Sequence, residues 1–367
     1  MTHAVRAMVL RAFNKPLEMT EYPLPEPDAG EVLVRIAAAG VCGSDVHMWR
    51  GHDPRTPLPI ILGHEAIGCV ERIGGEKADI NGEPLRTGDL IGWDRGVVCG
   101  ECFFCIVKKQ PYLCPNRQVY GISMSCKQPP HLKGGYATHM VLDAKTKVMK
   151  LPEGTSPELL VSASCSGATA AHAVEQCDIG QGDTVVIVGA GSLGLFALAF
   201  ALNRGATKAV AVDVEASRLE LAREFGATHT LHATETSPER RLEFVKGLTH
   251  GRGADVVIDC SGYAPAITDG IGMCRRGGTY TMPGIAVPAG ETPVRFYEDI
   301  SIRNLLIRGV WVSDTAHFRQ AVEMVLSARY PFDRLVGRTF QLEDANDALG
   351  ATESREVVKA VIKPSEE

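Results

Sequence analysis

The rhythm of hydrophobic and polar positions changes about halfway along this 367-residue chain. Over roughly residues 1–165 the apolar positions come in short β-type runs such as Glu31–Ala37 and Glu65–Arg72, broken repeatedly by Gly and Pro. That pattern predicts an irregular, mostly β region. From about Gly167 to Gly309 it gives way to alternating strands and helices. Thr184–Val188 reads as a strand, Leu193–Asn203 as a helix, Lys208–Asp213 as a strand, and Arg218–Phe225 as a helix ended by Gly226. Leu242–Leu248, a strand at Ala254–Asp259, a helix near Ala264–Cys274, and runs at Gly278–Met282 and Leu305–Val310 continue the series. Such alternation implies a doubly wound parallel sheet with helices on both faces. The 19-residue apolar window Thr184–Leu202 has the length of a membrane span, but three glycines and a serine divide it into strand, turn and helix. Beyond Asp314 only a helix, Thr315–Ala328, and a closing run at Val357–Ile362 remain, too little for a third domain. They are expected to pack back on the β region, giving an α/β protein with a discontinuous domain, 1–166 and 311–367, around an inserted domain, 167–310.

Composition narrows the function. The net charge of −6 (38 basic against 44 acidic residues) leaves no basic excess for phosphate contacts, so no nucleic-acid partner is expected. Met1–Leu10 lacks an apolar core of signal-peptide length, which sets the expectation of a cytoplasmic protein with no membrane association. In a reducing compartment the 11 cysteines are read as ligands or free thiols, not bridges. Cys99, Cys102, Cys105 and Cys114, spaced x2, x2 and x8, fit four thiolates around one tetrahedral zinc. Such a site is coordinatively closed and staples a loop. An iron–sulfur cluster is the alternative occupant.

Gly189-Ala190-Gly191-Ser192-Leu193-Gly194 fits the dinucleotide turn G-x-G-x-x-G, a weak string alone. Here it follows an apolar strand and opens a helix, and Asp213 ends the next strand 19 residues after Gly194. Gly189 permits the tight turn, Gly191 admits the pyrophosphate, Gly194 lets helix meet strand, and the helix N-terminus offers free N–H groups. Asp213 can accept from the adenosine ribose hydroxyls and would repel a 2′-phosphate, which favours NAD over NADP. Arg218 is placed to cover the adenosine, although a solvated helix arginine reads the same way.

A second group of candidate ligands is dispersed: Cys42, in Val41-Cys42-Gly43-Ser44-Asp45-Val46-His47, and His64-Glu65 after Gly63. A lone cysteine or histidine is more often structural, and spacing alone does not bring these two together. Taken with Gly88-Asp89, the four-cysteine loop, the glycine turn and Asp213, however, they make the whole chain resemble the zinc-dependent alcohol dehydrogenases of the medium-chain dehydrogenase/reductase superfamily. The resemblance implies a GroES-like catalytic domain and a Rossmann NAD-binding domain, with two zinc ions per chain, one catalytic and one structural. It implies Cys42, His64 and Cys165 as catalytic-zinc ligands, with Glu65 as the adjoining carboxylate and Lys359 as its basic partner. Asp45 matches the acid supporting the histidine ligand, and Ser44 and His47 match the relay that takes the alcohol proton to solvent.

Three departures stand out. Gly43 replaces a basic residue that in some relatives contacts the pyrophosphate. The Cys42–His47 stretch is similar to the polyol-dehydrogenase branch, whose third ligand is typically a glutamate where this chain has Cys165. The last spacing of the four-cysteine loop is one residue longer than the common pattern. The function implied is reversible hydride transfer between a small primary or secondary alcohol and NAD, giving an aldehyde or ketone, in a homo-dimer or homo-tetramer. Polyol or amino-alcohol oxidation, a dismutase holding NAD tightly, and a non-catalytic dinucleotide-binding member are the alternatives. Met48, Trp49, the Ile122–His131 insertion and the region near Trp311 are candidate pocket walls and equally readable as packing. Cys69, Cys126, Cys177, Cys260 and Cys274 are left as ordinary thiols, with Cys69, Cys260 and Cys274 expected to be buried.

Overall fold

A computed structural model describes residues 4–364. The chain divides into two compact units, one reaching to Cys165 and including Asp314–Val325 and the residues from Leu335, the other Ser166–Ser313 with Leu326–Arg334. The outermost residues of the expected domain ranges, 1–3 and 365–367, lie outside the described residues.

The first unit is built on a seven-stranded sheet centred on β1 (Val32–Val41). β1 is buried along almost its whole length, and it is made of Val, Leu, Ile, Ala and Gly apart from Arg35. It pairs antiparallel with β2 (Glu65–Ile73), Gly40 standing opposite Glu65. Its end also pairs antiparallel with Lys359–Lys363, Val41 facing Ala360. The helix α1 (Gly43–Trp49) begins directly after β1. A three-stranded sheet of Glu18–Pro23, Ala4–Leu10 and Ile60–Ile61 stands beside this one in the same unit.

In the second unit β3 (Thr184–Val188), β4 (Lys208–Asp213), β5 (His229–His232), β6 (Ala254–Asp259), β7 (Cys274–Met282) and β8 (Leu306–Gly309) form one parallel sheet in the order β5-β4-β3-β6-β7-β8. The order reverses between β3 and β6, which opens a crevice at the carboxyl ends of those strands. The helix α2 (Ser192–Asn203) follows β3, so the apolar window resolves into strand, turn and helix. Among the described residues no helix is long and apolar enough to cross a membrane.

Several elements carry no clear sequence signal. β5 is polar apart from the buried Leu231 and exists because β4 supplies its ladder. Val336–Gln341 buries only Phe340 fully and so shows no alternation, and the helix Ala345–Glu353 buries a face composed largely of alanine. β7 begins at Cys274, ahead of the expected Gly278, where the preceding helix stops at Met273. Of the ordinary thiols, Cys126, Cys177 and Cys274 are buried, while Cys69 and Cys260 keep partial exposure, contrary to expectation.

Residues 326–334 were expected in the first domain, within 311–367, but they pack in the second unit. Phe332 is the reason: it is buried, with its ring centroid 4.4 Å from that of Phe196 on α2 and 5.1 Å from that of Phe225. Phe332→Ala should therefore cost about 3–5 kcal/mol in denaturant unfolding. A change below about 1 kcal/mol would show that this ring does not anchor the segment.

Candidate active site

The register of β1 on β2 sets the first half of the site, because Cys42 leaves the end of β1 just as His64 enters β2. Asp45, fully buried on the first turn of α1, then fixes both. Its Oδ2 accepts from the Cys42 N–H at 2.8 Å, and its Oδ1 lies 3.1 Å from His64 Nδ1 and accepts from the Gly63 N–H at 3.3 Å. With Nδ1 held on the carboxylate, Nε2 is the nitrogen turned inward. Burial opposes a charged His64 ring, but the Asp45 charge and hydrogen bond outweigh it and raise the imidazole to about 10. The same interaction makes the ring a stronger metal donor.

Cys165 joins from a distant part of the chain, at the end of a short helical turn over Val161–Ser164. One donor atom each from Cys42, His64, Glu65 and Cys165 lies within 4.8 Å of all the others. The Cys42 thiol is driven well below its ordinary range by hydrogen bonding from Cys165, against the effect of burial and with help from the Lys359 charge. Two thiolates and an imidazole are a zinc-type donor set, and three firm ligands leave a position open. The residues present therefore fit a catalytic zinc.

Glu65 adds a second layer. Its Oε2 is 2.7 Å from Lys359 Nζ, both side chains being buried, and its Oε1 is buried with no hydrogen-bond partner among the described residues. Gly40 makes room for this carboxylate, since a Cβ there would stand 2.4 Å from Oε2. Burial raises the Glu65 pKa despite Lys359, and Glu65 raises that of Lys359 against burial. Ser44 donates to Cys42 Sγ at 3.2 Å and lies 3.5 Å from His64 Nε2. His47 sits one turn further along α1, its Nδ1 3.4 Å from that of His52, and no hydrogen bond joins it to Ser44 among the described residues.

Cys99, Cys102, Cys105 and Cys114 likewise bring their sulfurs within 4.8 Å of one another. Backbone N–H groups of Glu101 and Cys102 pull the Cys99 thiol down to about 6, whereas desolvation pushes Cys105 up to about 12. Among the described residues every cysteine is free, as four-thiolate zinc binding requires.

In the second unit the glycine turn has little steric freedom. Gly189 has φ +88°, and a Cβ on Gly194 would fall 1.8 Å from the Gly189 carbonyl oxygen. At Gly191 only Arg218 Nη1 comes within 4 Å of a built Cβ, at 3.7 Å, so the turn is open on that side. The Ser192 hydroxyl, at the first turn of α2, is buried with no hydrogen-bond partner among the described residues. Asp213 ends β4, accepting from the Ala190 N–H at 2.6 Å and from the Glu215 N–H at 2.9 Å. An open glycine turn, an orphaned hydroxyl and a helix N-terminus together fit a dinucleotide's phosphates.

Model matches cover most of both units: an alcohol dehydrogenase GroES-like domain over residues 28–153 and a zinc-binding dehydrogenase domain over 192–327. The chain is 33% identical to 5-exo-hydroxycamphor dehydrogenase of Pseudomonas putida, over 97% of this chain and 98% of that protein. The chain belongs to the zinc-dependent alcohol dehydrogenase family. It is also 31% identical to D-xylulose reductase A of Aspergillus oryzae, over 97% and 96% of the two chains. The solved structure of an alcohol dehydrogenase from Thermotoga maritima is 46% identical and superposes with a TM-score of 0.96, covering 99% of this chain and 100% of that one. Like other members of this medium-chain dehydrogenase family, the chain is an oxidoreductase built from a GroES-like domain and a Rossmann domain.

Some residues at the site carried no motif. Arg95, buried just beyond the strand Leu90–Trp93, donates from Nη1 to the Ser164 carbonyl at 3.2 Å and so holds the turn that presents Cys165. Asp259, at the end of β6, accepts from the Ser261 N–H at 2.9 Å, the Ser261 hydroxyl at 2.6 Å and the Tyr280 hydroxyl at 2.8 Å. It thereby fixes the loop whose backbone lies 2.9 Å from where a Gly189 Cβ would be. A charged residue closing an apolar strand was the available sign of both. Of the two candidate wall residues on α1, Met48 is buried in the core and Trp49 packs against it, donating from Nε1 to the Lys15 carbonyl at 2.6 Å.

Asp45→Ala should weaken one of the two metal equivalents roughly 10- to 100-fold, measured by competition with a chromogenic chelator, and leave the four-cysteine equivalent in place. Unchanged affinity at both sites would remove Asp45 from the metal centre.

Proposed function

We propose that this protein catalyses reversible hydride transfer between a small alcohol and NAD, with Cys42, His64 and Cys165 holding the catalytic zinc and the four-cysteine loop holding a structural one. The observation that carries the reading is the convergence of Cys42, His64 and Cys165 donor atoms beside a buried, half-satisfied Glu65. When bound, the zinc supplies Lewis acidity toward the substrate hydroxyl and the nicotinamide accepts the hydride. Ser44, already placed against Cys42 and His64, takes the proton that the alcohol loses. His47 passes it to solvent. Gly189, Ala190, Gly191, Ser192, Leu193 and Gly194 receive the pyrophosphate, and Arg218 lies over Gly191. The Asp213 carboxylate, anchored by two backbone N–H groups, faces the ribose hydroxyls and disfavours a 2′-phosphate.

The assembly proposed is a homo-dimer or homo-tetramer in the cytoplasm. β8 supports it: this edge strand is exposed along its whole length and presents Leu306 and Ile307 to solvent. The catalytic domain is proposed as 1–165 with 314–325 and 335–367, and the NAD-binding domain as 166–313 with 326–334, so that Ser166, residues 311–313 and the segment 326–334 leave the catalytic domain expected from the sequence.

A panel of primary, secondary, polyol and amino alcohols with NAD and NADP, followed by absorbance of the reduced nicotinamide, is the direct test. Turnover with NAD is expected, and two zinc per chain, matching the two donor clusters. Cys42→Ala and His64→Ala should fold, lose one zinc and abolish turnover. Full activity in either variant sinks the assignment, and turnover without added NAD would favour the dismutase.

The relay has its own pH signature. Burial, followed by the charge of His52, holds His47 below the ordinary 6.5, so His47 is neutral and able to accept a proton through the neutral range. Alcohol oxidation should decline only on the acid side of 6.5, where His47 becomes protonated. His52→Ala removes a cationic neighbour, raises the His47 pKa and should move that acid limb to higher pH. A limb that stays put or moves down excludes His47 from the relay.

A further inference from the structure

The helix α1 ends in a glycine cap that folds a second histidine back over it. The Gly51 N–H donates to the Met48 carbonyl at 3.0 Å and the His52 N–H to the His47 carbonyl at 2.8 Å, with Gly51 at φ +74°. These two bonds make a Schellman cap, a motif in which the side chains at the places of His47 and His52 meet, frequently as an apolar contact. A side chain at Gly51 is excluded twice, by its φ and by Phe13, whose Cγ would stand 2.9 Å from a Cβ.

Here both places hold imidazoles, and they meet nitrogen to nitrogen. His47 Nδ1 lies 3.4 Å from His52 Nδ1, with ring centroids 5.7 Å apart and planes inclined at 48°. That approach suits a ring N–H on one side facing a lone pair on the other, which is the geometry for passing a proton between them. Exposure rises along the path: Ser44 and His47, three residues apart on α1, are half-buried, and His52 is exposed. Burial weakens the hold of His47 on a proton and so favours the onward hop.

The neighbouring carboxylates are already engaged. Asp53 accepts from Arg55 Nε at 2.9 Å and Nη2 at 2.5 Å, and Glu353, on the helix Ala345–Glu353, accepts from Arg50 Nε at 2.7 Å and Nη2 at 2.6 Å. Cys42, the remaining charged group acting on His47, belongs to the metal donors. His52 is therefore the neighbour through which a proton on His47 reaches water.

We propose that His52 is the exit station of the proton relay, receiving from His47 the proton that the substrate alcohol loses and handing it to solvent. This deepens the dehydrogenase reading and rests on it. With Nδ1 of His47 turned to His52, the proton from Ser44 arrives at Nε2. The His47 Nδ1–H bond then breaks as an N–H bond forms on His52 Nδ1, and His52 gives up its Nε2 proton to water or a buffer base. One proton enters, one leaves, and no electrons are transferred. His52 acts through His47 as a carrier, not as a catalytic residue.

The test is turnover of zinc-loaded wild type and His52→Gln with saturating NAD and an alcohol that the wild type oxidises, in dilute buffer and with rising MOPS at constant pH and ionic strength. Glutamine keeps a hydrogen-bonding side chain over the backbone cap but carries no proton at neutral pH, and the crowded tertiary amine of MOPS is a proton acceptor and a poor zinc ligand. In dilute buffer kcat of His52→Gln should fall about tenfold or more, and MOPS should restore it toward the wild-type value while leaving the wild type unchanged. In a single turnover with a pH-indicator dye, the proton should appear together with reduced nicotinamide in wild type and trail it in the variant. A kcat that stays at the wild-type value, or a loss that MOPS does not relieve, overturns the role of His52 and leaves the dehydrogenase reading standing. A protein that oxidises no alcohol defeats that reading and the relay with it.

Discussion

The candidate metal centre hangs from one strand pairing, β1 against β2 with Gly40 opposite Glu65. That register puts the residue after β1, Cys42, and the residue before β2, His64, at neighbouring strand ends. A slip of one residue would turn Glu65 to the other face and move both donors. Asp45 then converts proximity into fixed geometry, since one carboxylate accepts from the Cys42 and Gly63 N–H groups and orients His64. The strand Lys359–Lys363, paired antiparallel to the other side of β1, brings Lys359 to the same point from the other end of the chain.

These placements explain what could be read in advance. The glycine turn of the second unit was legible because its signal is local: Gly189, Gly191 and Gly194 fall within six residues, Gly189 takes φ +88° and a Cβ on Gly194 would meet the Gly189 carbonyl oxygen, whereas the Ser261 backbone that crowds Gly189 comes from a distant part of the chain. The four-cysteine loop was legible for the same reason. Cys42, His64 and Cys165 were not legible from spacing, because their meeting depends on a strand register and on a turn held by Arg95. Only resemblance to a family linked them. The strands His229–His232 and Val336–Gln341 escaped because their stability comes from a neighbouring strand and not from their own pattern. Phe332 escaped because an aromatic residue in a short connection gives no sign of which core it will enter.

The inner charges follow a different logic from the core. Glu65 and Lys359 are both buried, and burying two charges is compensated only when their geometry is good and their remaining lone pairs and protons are satisfied. Here one Glu65 oxygen meets Lys359 and the other has no hydrogen-bond partner among the described residues. A well-packed apolar pair of the same volume would be as stable or more so, while removing one partner alone would cost about 3–5 kcal/mol. The pair is therefore a poor device for stability. Its geometry makes sense as a way of holding one carboxylate oxygen among the Cys42, His64 and Cys165 donors while Lys359 cancels the charge of the other. Gly40 points the same way, since it gives up a side chain in a buried strand so that Glu65 can lie against it. The sheet has been shaped around the position of a carboxylate, and positioning of that kind belongs to the chemistry of the site.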